Sequence, residues 1–295
     1  MPLKEIAANA FELGLVALGW FLIWRLQFSA AAREKRQSAT ASSALPRWNV
    51  DGTGFAFCVL TVCVGWLIAN VVMGQLLQRF PSLKTDEALL AICNGTLTQL
   101  GLLSGVLAGL FYLQQTTPHT SAPQTTPTKL PATSAPKFAT LRAALATFTI
   151  TVAVVIPVQA AWKFLLELCH LPTTNQEMVE IFFRTSSPPR VVMLATMAVV
   201  LAPVVEELVF RSGLFRFLRS RTPLWIALVL PALIFASLHV NFKTFEGLIT
   251  LAPLTAFGII FSLAYERTGR IAVVMIAHGL FNLHTVVFLL LGLTN

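Results

Sequence analysis

Eight apolar runs punctuate the chain, at 9–27, 54–78, 88–113, 141–168, 191–218, 223–240, 247–265 and 271–293. A bilayer core of about 30 Å takes roughly 20 mostly apolar helical residues to cross. Each run is therefore a candidate membrane span, the first and the sixth being the weakest. Composition agrees, with 56% hydrophobic and 12% charged residues and a mean hydropathy of +0.73. Soluble domains carry about 25% charged residues, and half that number could not cover a water-exposed surface. An ordinary soluble enzyme, a nucleic-acid-binding domain and a disordered chain are thereby excluded. The expected fold is all-α, a polytopic transmembrane helical bundle of about eight spans.

The net charge of +8 suits such a protein without any polyanionic partner, because basic residues collect in cytoplasmic loops. Lys and Arg divide roughly two to one in favour of the segments after spans one, three, five and seven. Both termini are then expected on the non-cytoplasmic side. Glu5 and Glu12 precede or lie in the first run and its basic residues follow it, which favours an uncleaved anchor over a signal peptide. Cys58, Cys63, Cys93 and Cys169 lie in or beside apolar runs without metal-type spacing and read as inert thiols. The stretch 115–137 holds five prolines and seven threonines with no apolar periodicity, and is expected to be a flexible linker. It divides N-terminal anchor helices (1–114) from a second half (138–295). Residues 31–48 form another polar, basic loop, and no internal repeat is visible.

Ionisable groups inside spans are costly and mark function. They concentrate in the second half, as Glu206-Glu207 with Arg211 on span five, Phe235 with His239 on span six, and His278 with Asn282 on span eight. Arg211 follows Glu207 by four residues, where helical side chains meet, so these two are expected to pair. Adjacent glutamates point about 100° apart and can hardly share one pocket equally. Glu206, left without a helix partner, is the better candidate for a general base. His278 and Asn282 project from one face of their helix. At 1.5 Å per residue, Glu206 lies about 20 Å from Arg219 and His239 about 24 Å from Pro223, while His278 and Asn282 lie about 12 and 18 Å from Arg270. The four side chains can thus meet at depth. Pro203, Pro231 and Pro253 fall inside these spans, where proline frees carbonyls and bends the axis. His284 points elsewhere on its helix and reads as structural, and Glu12 reads as interfacial.

In this order and context, the three segments resemble the CPBP family of intramembrane endopeptidases (CAAX prenyl protease and Abi type), with its EExxxR, FxxxH and HxxxN pattern. The approach Tyr265-Glu266-Arg267-Thr268-Gly269-Arg270 is also similar. The resemblance covers roughly 190–285; the first 140 residues resemble no family. It implies that 138–295 is a protease domain with its catalytic helices in the C-terminal half. By that resemblance, Glu206 activates a water that His239 helps to hold, and His278 and Asn282 stabilise the oxyanion. Glu207, Arg211 and Phe235 would support them structurally. No metal ligand set is assigned and no cofactor is expected, although two Glu and two His leave a divalent metal such as zinc open. The implied partners are a protein or peptide substrate in the membrane and the lipid bilayer, with no nucleic acid. The implied location is a bacterial cytoplasmic membrane. The substrate and its prenylation are not readable. A non-catalytic scaffold or immunity-type protein, and a transporter with a Glu206–His239–His278 proton relay, are the rival readings.

Overall fold

The computed structural model describes residues 3–29, 44–116, 138–174 and 177–293. The expected linker 115–137 lies outside them, save for residues 115 and 116, which end a helix; most of the 31–48 loop lies outside them too. The main helices among the described residues are α1 Leu3–Ile23, α2 Gly52–Arg79, α3 Glu87–Thr116, α4 Ala139–Leu168, α5 Glu177–Arg184, α6 Pro188–Arg219, α7 Leu224–Ser237, α8 Leu251–Thr268 and α9 Ile271–Leu290, with short 3-10 turns at Pro81–Thr85 and Leu248–Thr250. Seven of them, all but α5 and α7, are long and apolar enough to cross a membrane. The chain is an all-α polytopic bundle and an integral membrane protein.

Helix ends follow local chemistry. Asp51 caps α2 by accepting from Gly54 N at 2.7 Å, and Asp86 Oδ1 accepts from Leu89 N at 3.1 Å at the start of α3. Gly269 closes α8 in the left-handed region at φ 64, so that α9 begins two residues later. Buried hydroxyls on α4 are satisfied within the helix: Thr147, Thr149 and Thr151 each donate to the carbonyl four residues back, at 2.7–2.9 Å.

Lipid offers no hydrophobic drive for helices to associate, so close backbone approach matters more. On α3, Gly101 and Gly105 press against the α2 backbone at Gly65 and Thr61, where a Cβ would collide with main-chain atoms. The second half instead closes on an aromatic core of Phe215, Phe235, Phe257, Phe261 and Tyr265.

Two spans differ from expectation. The sixth run, 223–240, holds a helix of only 14 residues, about 21 Å long. Residues 238–247 follow it as a loop, tied at its far end by Trp162 Nε1 donating to Leu248 O (2.9 Å) and Gly247 N donating to Thr174 O (3.3 Å). Hydropathy did not register this end because Val240, beyond the helix, is buried with Leu166, Leu248 and Ile249. Pro253, expected to interrupt span seven, lies in the first turn of α8, where its missing N–H costs nothing.

Candidate active site

α6 is not uniform. It passes into π-helix at Met197–Leu201, returns to α-helix over Ala202–Glu207, and is π-helical again over Leu208–Phe215. Such widened turns are frequent at functional sites, and here they bracket the two glutamates. The first has an identifiable cause. Ala202 N bonds to Met197 O, five residues back, and the next residue is Pro203, which has no N–H to give. Five residues before Pro203 stands Ala198, whose carbonyl accepts from Asn282 Nδ2 at 2.7 Å. Gly279, one turn earlier on α9, allows this approach: a Cβ there would lie 2.7 Å from Val199 O.

The Glu207–Arg211 pair forms as the four-residue spacing predicts, Arg211 Nη1 donating to Glu207 Oε1 at 2.9 Å. Both side chains are essentially sealed, at 0% and 2% exposure. Around the guanidinium, the rings of Phe235, Phe261 and Phe257 stand 5.0, 5.5 and 5.7 Å from its carbon.

His278 joins both carboxylates. Its Nδ1 is 2.8 Å from Glu207 Oε1, and its Nε2 is 3.8 Å from Glu206 Oε2. The adjacent glutamates meet the ring unequally, Glu207 at hydrogen-bond distance and sealed, Glu206 farther off and partly exposed. An imidazole has nitrogens on opposite edges, so two carboxylates pointing apart can flank a single ring. Because Nδ1 faces an acceptor, it carries the hydrogen, and Nε2 is the nitrogen available to chemistry. Glu207 therefore orients His278 as well as pairing with Arg211. Glu206 is the accessible member, with 18% of its side chain exposed.

His239 lies just past the end of α7, its Nδ1 2.8 Å from Phe235 O, which leaves Nε2 outward. No hydrogen bond joins His239 to Glu206 among the described residues. His239 and His278 instead flank one ring, Phe235, whose centroid is 4.8 Å from His239 and 6.4 Å from His278. Asn282 is held by Ala198 O through one amide hydrogen and retains a second.

One contributor comes from the first half. Gln99, on α3, points Nε2 at Glu206 Oε1 over 3.5 Å, and its buried Oε1 has no partner among the described residues. An amide in mid-run was the available signal, shared with Asn94 on the same helix. His284 turns away from the site and meets Glu12 of α1 at 3.7 Å, so Glu12 faces a helix partner. Among the described residues no three His, Cys, Asp or Glu side chains converge to hold a metal ion, and His278 Nδ1 is already engaged by Glu207.

Residues 188–284, which hold all seven predicted site residues, match the family model described as type II CAAX prenyl endopeptidase Rce1-like. The CPBP resemblance is thereby shown for this segment. Three curated bacterial proteins are similar over much the same length. An "Uncharacterized 24.3 kDa protein" of Escherichia coli is 31% identical over 103 residues, 34% of this chain and 46% of the relative. The "Putative membrane peptidase YdiL" of Bacillus subtilis is 31% identical over 96 residues, 32% of this chain and 37% of the relative. The protein YbdI of Lactococcus lactis is 33% identical over 92 residues, 30% of this chain and 45% of the relative. The chain thus spans less than half the length of these curated relatives. No solved structure matches it. Gln99 lies outside the Rce1-like segment.

Proposed function

We propose that the protein is an intramembrane endopeptidase, CAAX-protease-like, that hydrolyses a peptide bond of a membrane-associated or lipidated protein. The observation that carries this reading is the placement of Glu206 and His278 Nε2 3.8 Å apart, above a sealed Glu207–Arg211 pair. A partly exposed carboxylate beside an oriented imidazole, within apolar spans, is what water activation requires. The Rce1-like segment and the peptidase name of the Bacillus relative support it.

The proposed reaction uses the chain's own groups. A water donates one hydrogen bond to Glu206 and the other to His239 Nε2, which is outward because Nδ1 is committed to Phe235 O. Glu206 takes the proton as oxygen attacks the scissile carbonyl carbon. The resulting oxyanion accepts from His278 Nε2–H, in the imidazolium form, and from the remaining amide hydrogen of Asn282. Glu206 then returns its proton to the departing amine. Glu207 and Arg211 set the orientation of His278, and Phe235 spaces the two imidazoles. The reaction needs no metal ion. The 1–114 helices serve as an anchor, 115–137 as a linker and 138–295 as the protease domain. Both termini face away from the cytoplasm of a bacterial cell.

The test compares wild type with Glu206→Gln in liposomes, using quenched-fluorescence peptides with a prenylated CAAX end and an unprenylated membrane-peptide library, with and without chelator. Cleavage lost in the variant supports the mechanism, and cleavage that persists in it overturns it. Folded wild-type protein that cleaves neither substrate favours the scaffold reading, and loss of wild-type activity to chelator overturns the metal-free route.

A further inference from the structure

A second polar site lies at the far end of α6, where the chain turns into α7. A cavity of about 410 Å³ is lined there by Arg47, Arg216, Arg219, Ser220, Arg221 and Thr222, among others. Four guanidiniums converge on it. Only Arg219 meets a carboxylate among the described residues, Glu266 Oε1 at 2.8 Å. Arg216 stands over the Trp48 ring at 5.7 Å, and its buried Nε has no hydrogen-bond partner among the described residues. Arg221 is stacked on Phe217 at 4.0 Å and donates to the carbonyls of Phe217 and Val50.

Arginines at a span end are ordinarily orientation markers in water. Three features set these apart. The walls come from segments some 170 residues apart in sequence, clamped by Trp48 N donating to Ser220 Oγ (2.9 Å), by the Arg221–Val50 bond and by Phe55 stacking on Phe217 at 3.7 Å. The four cations line a single half-open cleft, with Arg216 and Arg219 partly buried in it and Arg47 and Arg221 exposed at its mouth. One buried donor is unmatched, and such a group costs free energy until an acceptor meets it. Guanidinium forks match phosphate oxygens in geometry and charge.

We propose that this cavity binds a phosphate-bearing anion. The position at a span end gives two sources, the headgroup of an anionic phospholipid, as in other basic interfacial pockets, or a soluble phosphate. This site is separate from the peptidase reading and stands whether or not that reading does.

The full-length chain in detergent would be titrated with short-chain phosphatidylglycerol, with phosphatidylcholine and with inorganic phosphate, bound ligand being counted by native mass spectrometry. Wild type is expected to retain phosphatidylglycerol over phosphatidylcholine. Removing one arginine should weaken retention roughly fivefold, in Arg216→Gln and in Arg47→Gln, where Arg47 is exposed and its loss leaves folding intact. Arg216→Lys should recover part of the loss. Arg142→Gln removes the same charge at the exposed start of α4, away from the cavity, and should bind as wild type does. Saturation by inorganic phosphate that is lost in the two pocket variants assigns the site to soluble phosphate, and its absence assigns it to headgroups. Equal retention of the two lipids without phosphate binding, or equal losses in Arg142→Gln and the pocket variants, overturns the proposal.

Discussion

The α2–α3 hairpin and the α8–α9 hairpin are both antiparallel pairs of membrane helices, yet they are built on opposite terms. In α2 and α3 only 11% of the apolar window is buried in the protein; in α8 and α9 the figures are 44% and 39%. The first pair holds together by glycine approach along its shared seam, and apart from one face of α3 that packs on α5 and α6 it turns most of its surface outward. Its ionisable side chains stay at the ends, Arg79 on α2 and Glu87 on α3. The second pair is wrapped by α4, α6 and α7, and α9 carries His278 and His284 within its length. Enclosure in protein is what allows a charge at depth, because carboxylates and cations can then be matched before lipid reaches them.

Substitutions on each side sharpen this contrast. The largest effect is expected from Glu206→Gln, which should lower peptide cleavage by about 10²–10⁴-fold with an unchanged melting curve, since Glu206 is partly exposed. Arg211→Met comes next. It leaves Glu207 buried without its counter-charge and should cost about 3–5 kcal/mol, read as a fall in denaturation midpoint. The double variant with Glu207→Gln should recover part of that loss, and a single variant as stable as wild type would show the pair to be unimportant. Gly279→Ala should destabilise by about 1–3 kcal/mol, because its methyl meets the Val199 carbonyl. Gly74→Ala on α2, with open space around it, should shift stability by less than about 0.5 kcal/mol. Equal effects at the two glycines would erase the difference between the hairpins. A more modest catalytic effect than at Glu206 is expected from Gln99→Leu, which removes a long hydrogen bond worth about 0.5–1.5 kcal/mol. It should slow turnover by up to about tenfold and lower stability by no more than that bond's worth.

How far the site could be read in advance follows from the range of each interaction. Glu207 and Arg211 were legible because a four-residue helical spacing is a local rule that the bundle preserves. The apolar runs were legible for the same reason, since lipid imposes length and composition on each helix separately. The meeting of His278 with both glutamates was not. It depends on an imidazole that bonds Glu207 from one edge and faces Glu206 at 3.8 Å from the other, and on π-helical turns that no apolar pattern encodes. Asn282 found its acceptor at Ala198 through the π register before Pro203, a register hidden from any count based on 3.6 residues per turn. Gln99 was overlooked because Asn94, Thr96 and Thr98 on the same helix are polar too and nothing local singles it out, and its relevance exists only once α3 has packed against α6.

The shortness of α7 has a consequence for the surrounding lipid. Its 14 residues fall about 9 Å below the hydrocarbon thickness of an average bilayer, and acyl chains beside it must compress or tilt to follow the protein. Such deformation costs fractions of a kcal/mol per Å and is relieved in thinner membranes. His239 sits at that indentation, immediately beyond the helix. Acyl-chain length thus becomes a physical variable acting on the same residue that the proposed chemistry employs, and a transmembrane segment passing α7 meets its least lipid there.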